Sequence, residues 1–197
     1  MEYAFHLYNK FAVDGLAMAL DKLLVSDLES RNKKARVLTA QKPPVIVCVG
    51  SDLAVGDSLG PIVGSMLKSK TQGLPVFIYG TLASPVTAKE IKYLRAFLRE
   101  THKDSQIIAS DAAVGAEGDI GLIKLNPAPL FPGAGANKKL GAIGDLSIMG
   151  IVSERSVANY GLLNTTRLNL VYSMSEIISS ALSSLLWNLA ENERKNS

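Results

Sequence analysis

Two aspartates stand where strands give way to turns. Asp57 lies in VIVCVGSDLAVGDSLGPIVG (residues 45–64), where an apolar run enters a glycine turn and then a helix start. Asp111 follows the apolar run QIIA of residues 106–109. If the two strands lie side by side, both carboxylates project into one crevice. Like charges at short range push one pKa up, so that one acid keeps its proton while the other is ionised. Such a pair can act as general base and general acid on a bound water, or share a divalent cation. Asp57 alone has a plainer use. A carboxylate before a helix accepts from free N–H groups and complements the helix dipole, worth about 0.5–2 kcal/mol. Asp111 is the residue that turns a cap into a candidate site. Asp104 and Asp119 sit in turns, where aspartate is common for turn reasons alone.

Other chemistries fit poorly. A phosphate loop reads G-x-x-x-x-G-K-[ST], whereas here five residues separate Gly50 from Gly56 and Asp57-Ser58 replaces the lysine and hydroxyl. The G-x-G-x-x-G pattern is absent too, and Asp57 would repel a phosphate at that helix N-terminus. A Ser-His-Asp triad would need one of only two histidines. His6 lies in an N-terminal segment and His102 past a helix end, far from the strand carboxyl ends. No G-x-S-x-G elbow occurs. The one cysteine, Cys48, falls inside an apolar run and reads as core.

The positioning elements follow from the apolar pattern. Leu16, Ala19, Leu20, Leu23, Leu24 and Leu28 mark one face of a helix over residues 11–28. Pro43-Pro44 ends the polar stretch that follows. Residues 45–49, 76–79 and 106–109 are short continuous apolar runs suited to strands covered on both faces. Helices are predicted from Gly60-Pro61 to residue 70 and over residues 87–99. Residues 120–125 form another strand, and the Gly118-Asp119 turn suggests an antiparallel hairpin across residues 111–125. Residues 126–144, rich in proline and glycine, read as a long loop able to cover the strand ends. A strand over residues 146–152 and a helix over residues 167–189 close the chain. The last helix carries a stripe of Leu168, Val171, Tyr172, Ile178, Ala181, Leu182, Leu185, Leu186 and Leu189.

Alternating strands and helices imply one domain with a mostly parallel, mixed sheet and helices on both faces. Ligands in such folds sit at the strand carboxyl ends, where residues 50–57, 80–86 and 110–115 should meet. The 197 residues are 47% hydrophobic and 20% charged, with a net charge of +3, which fits a soluble globular chain. The basic run RNKKAR (residues 31–36) reads as a solvated linker, and aromatics are only 6%, so nucleic acid is not an expected partner. No signal pattern and no apolar run of about 20 residues is seen, so no membrane is expected and a cytoplasmic setting is. The long terminal helix suits the core or a homo-oligomer contact.

The stretches VGSDLAVGDSLGP, SDAAVG and FPGAGANKKLGAIGDLSIMGIV, in that order, resemble the spore germination protease family and, more closely, the shorter YyaC-type sporulation proteins. The first also resembles the turn of hydrogenase maturation proteases. The resemblance implies a three-layer α/β/α sandwich of the phosphorylase/hydrolase-like kind and hydrolysis of peptide bonds. It implies Asp57 and Asp111 as the catalytic pair. Protein or peptide substrates follow, small acid-soluble spore proteins among them. Backbone N–H groups of Gly50 and Ser51, or of Gly133 and Gly135, are the expected oxyanion donors. Asn137 and Lys138 are the expected holders of substrate backbone or acidic groups. Phe131 stands where germination proteases carry a histidine, and no histidine follows Lys103. No resident cofactor is therefore expected. A divalent ion on Asp57 and Asp111 remains open, but nickel is disfavoured because imidazole is the ligand that suits it. The same fold also admits a catalytically silent protein that binds a peptide or partner during sporulation.

Overall fold

A computed structural model describes residues 2–31, 42–133, 141–155 and 165–196. Among these residues six strands and four α-helices follow in the order β1 (Tyr3–His6), α1 (Ala12–Arg31), β2 (Val45–Cys48), α2 (Leu59–Lys70), β3 (Phe77–Tyr79), α3 (Ile91–Thr101), β4 (Ile107–Gly115), β5 (Leu122–Asn126), β6 (Leu146–Glu154) and α4 (Leu168–Asn196). They build one sheet of order β1-β5-β6-β4-β2-β3. The four strands β3, β2, β4 and β6 run parallel, while β5 is antiparallel to both β6 and β1. The expected mixed sheet is thus present, but for a different reason from the one anticipated. β4 and β5 form no hairpin. β6 lies between them, so the Gly118-Asp119 turn serves a connection that passes over a strand rather than a tight reversal.

Two apolar cores flank the sheet. On one face Ile46, Cys48 and Ile108 pack with Leu16 and Leu20 of α1, Leu59, Val63 and Leu67 of α2, and Val171, Met174 and Ile178 of α4. On the other face Val45, Val47 and Ala109 pack with Ile91 and Leu98 of α3 and with Leu130 and Ile143. This makes three layers. The second face is covered in part by the proline- and glycine-rich segment, which Leu130 and Ile143 pin through a short antiparallel bridge. The α4 stripe holds from Val171 to Leu186 but differs from the expected one at its start. Leu168 and Tyr172 are exposed, and Met174 is buried in their place. By length and composition α4 could cross a membrane, but its Val171–Leu186 stretch spends its apolar face on α1 and α2.

The approach of α2 to β2 is set by glycine. A Cβ on Gly60 would stand 1.9 Å from the Val49 carbonyl oxygen, and one on Gly64 the same distance from that of Gly80. Only hydrogen fits at either place, so the helix rides directly on the strand that precedes it. At its far end α2 is tied to α4. Lys70 donates through Nζ to Ser179 and Ser180, and its carbonyl accepts from Nε1 of Trp187, the one tryptophan in the chain.

Candidate active site

The chain leaves β2 toward β3 and leaves β4 toward β6, so the two neighbours β2 and β4 define the sheet's topological switch point. A crevice opens beyond the carboxyl ends of such a strand pair. Asp57 and Asp111 both lie at that end of the pair. β2 and β4 pair as far as Cys48 opposite Ser110, and Val49 N–H adds a last bond to the Ser110 carbonyl at 2.7 Å. Asp111 is the next residue. It is not the end of its strand, as the sequence suggested. β4 runs on to Gly115, paired with β6 alone.

The β2–α2 connection is tightly folded. Gly50 has φ of +139°, a region L residues avoid, and a Cβ there would lie 2.1 Å from the Asp57 carbonyl oxygen. Gly50 N–H donates to the Val86 carbonyl (3.0 Å) and Ser51 N–H to the Asp57 carbonyl (3.0 Å). These bonds fix where Asp57 sits. The Gly50 and Ser51 N–H groups, one of the two pairs expected as oxyanion donors, are thus bonded within the protein. Asp57 ends a 3₁₀ turn, Val55–Asp57, and Ser58 takes the N-cap position of α2. Ser58 makes no side-chain cap; its Oγ donates to the Val55 carbonyl at 2.7 Å. Pro61 falls third in the helix, not first, which its missing N–H permits in the first turn.

Asp111 is half-buried, and its Oδ1 accepts from the Ala112 N–H at 2.8 Å. Burial pushes its carboxyl well above the usual range, and the negative charge of Asp57 pushes it further. The Ala112 bond works the other way and does not prevail. The two carboxylates are therefore electrostatically coupled, as the sequence pairing required. Among the described residues the cysteine and the two histidines are poor rivals as nucleophiles. The Cys48 thiol is buried and pushed up to about 12 by desolvation, against a weaker pull from Ser110. His102 sits at the amino end of the sheet, its Nε2 2.8 Å from the Tyr79 hydroxyl and its ring against Phe77. His6 lies on the outer strand β1, beside Tyr8.

Of the remaining expected contacts, Gly133 has φ of +71°, while Gly135, Asn137 and Lys138 lie outside the described residues. Phe131 is exposed. Two features escaped the sequence reading. Leu53, between Gly50 and Asp57, is 92% exposed, with its N–H on the Ser51 hydroxyl. The outer half of β4 lies beyond the strand that the sequence predicts, because SDAAVG has one β-branched residue and no long apolar run. Among the described residues no three His, Cys, Asp or Glu side chains come together as a metal site would need.

Fold and site together define an α/β/α protein with a coupled carboxylate pair at the switch point of a mixed sheet. The chain belongs to the family described as "Protein of unknown function (DUF1256)", which it matches over residues 18–181. It is 41% identical over 165 residues to the "Uncharacterized protein YyaC" of Bacillus subtilis (strain 168), covering 84% of this chain and 78% of that one. A crystal structure of the NiFe hydrogenase maturation protease HycI from Thermococcus kodakarensis KOD1 superposes with a TM-score of 0.48 and 17% identity. That match covers 75% of this chain and 94% of that chain.

Proposed function

We propose that this protein is an aspartate-pair peptidase. Ionised Asp57 takes a proton from water as the water attacks a peptide carbonyl, and protonated Asp111 supplies one to the departing side. The observation that supports this is the coupling at the switch point: burial first and the charge of Asp57 second push the Asp111 carboxyl upward, toward its acid form. A pair in opposite protonation states is what general acid and base catalysis needs. Metal-assisted hydrolysis would call for a third ligand beside the pair, so direct action by the aspartates is the simpler fit to the donor set. Gly133, Gly135, Asn137 and Lys138 enter this reading as substrate contacts, and sporulation, with small acid-soluble spore proteins as substrates in a bacterial cytoplasm, as its setting.

The test is cleavage of such spore proteins by the wild type and by Asp57→Asn, with and without a chelator. The expected result is cleavage by the wild type alone, unchanged by the chelator. Equal cleavage by both would remove Asp57 from the mechanism. One observation favours a second reading, a silent peptide binder. The Gly50 and Ser51 N–H groups are already bonded, which takes one of the two expected donor pairs away from the oxyanion. Specific peptide binding with no cleavage across a broad library would select that reading.

A further inference from the structure

Beyond the two aspartates, the structure holds an unfinished ladder. Hydrogen bonds show which way each residue of β4 faces. Val45 N–H reaches the Gln106 carbonyl and Val49 N–H the Ser110 carbonyl, so the even residues of β4 turn toward β2. Arg155 N–H reaches the Gly115 carbonyl, and Ile107 exchanges bonds with Asp145 just before β6, so the odd residues turn toward β6. β2 ends at Val49, and Gly50 turns away to Val86 on the β3 side. Yet β4 continues for five more residues. By the same alternation Ala112 and Val114 aim their backbone groups at the side β2 has vacated. There, among the described residues, no strand pairs with them. Ala112 spends its N–H on Asp111, which leaves the Ala112 carbonyl and both groups of Val114 along the edge. Exposure agrees: Ile108, Ala109 and Ser110 are buried, whereas Asp111 to Gly115 are all half-exposed.

The geometry points to this edge, Ala112–Val114, as the docking rail for an extended peptide that adds a strand to β4 in line with β2. One donor between two acceptors at strand spacing is complementary to another extended backbone. A peptide seated there passes the carboxyl of Asp111, which is fastened to the first residue of the rail. Recognition would be by main chain, with side-chain preference left to alternate positions. This rests on the peptidase reading for its substrate class, but it predicts binding whether or not the bond is cut.

The experiment pans the immobilised full chain against a pool of random acetylated, amidated decapeptides, wild type beside Val114→Pro. Proline deletes the outward N–H of Val114 and leaves the β6 ladder whole, as edge positions allow. Recovered peptides are then resynthesised with one N-methyl group at each position in turn. The expected result is enrichment by the wild type, at least about ten-fold weaker retention by Val114→Pro at unchanged Tm, and an N-methyl scan that alternates. No enrichment, equal retention by a folded Val114→Pro, or a flat scan would overturn the rail. If Val114→Pro does not fold, the scan decides alone. Alternating binding without cleavage of those peptides sinks hydrolysis and keeps the rail; cleavage with a flat scan does the reverse.

Discussion

From Ile107 to Ser110, β4 has β2 on one side and β6 on the other, and Ile108 and Ala109 are sealed into opposite cores. From Asp111 to Gly115 the same strand keeps β6 alone, carries small residues and stays half-exposed. The inner half is built for cohesion and the outer half for access. The change falls at Asp111, the residue whose carboxyl burial and Asp57 push well above the usual range. A single strand thus anchors Asp111 by one end and presents it by the other, while the bonded β2–α2 turn brings Asp57.

The comparison can be broken most severely through activity. Asp57→Asn and Asp111→Asn should each lower peptide hydrolysis by about 10²–10⁴-fold while leaving far-UV dichroism unchanged. A variant of either that keeps wild-type kcat would make the outer half of β4 an ordinary surface. Next comes stability. Ile108→Ala should cost about 2–5 kcal/mol in urea unfolding, as a fully buried aliphatic does. Val114→Ala, on the half-exposed segment, should cost less than about 1 kcal/mol. Similar losses at both would erase the distinction between halves.

A smaller effect has a definite sign. Because the folded protein holds a proton on Asp111 at pH values where the unfolded chain has lost it, its contribution to stability is greatest at acid pH. That contribution declines as pH rises through the raised folded value. Asp111→Asn removes the buried charge, so it should raise Tm at pH 8 and do little at pH 4. A Tm lowered at pH 8 would contradict the raised carboxyl. Gaining stability while losing activity would be the usual trade at a strained site. Finest of all, carboxyl carbon NMR of Asp57→Asn should show Asp111 titrating lower than in the wild type, yet still above an ordinary aspartate, because burial is the larger cause. An unmoved titration would uncouple the pair.

Much of this arrangement is visible in the sequence where burial forces a pattern. The runs at β2 and the inner half of β4 are continuous and β-branched because both their faces are covered; the edge strand β3 is only partly covered, yet its short apolar run also marks it, and all three match to within a residue or two. The Asp57 and Asp111 pairing followed from placing two acids after two such runs. What escaped detection is what burial does not pattern. β1 is a four-residue edge strand, YAFH, too short to show a period. The outer half of β4 needs no apolar residues, since one side is open, and so resembles a turn. The insertion of β6 between β4 and β5 is a long-range choice that the local Gly118-Asp119 signal argued against. The fate of the Gly50 and Ser51 N–H groups depended on the chain doubling back at Asp57, which spacing alone does not reveal.

The bond from Trp187 to the end of α2 makes the protein its own optical gauge. α2 begins at the turn that carries Asp57 and finishes at Lys70, whose carbonyl holds the only indole in the chain. A displacement of this helix along its axis, started by a peptide at one end, would stretch that bond and change the polarity around the indole at the other. Emission from an unlabelled sample therefore reads the far end of the helix that delivers the aspartate, with no dye to perturb the crevice.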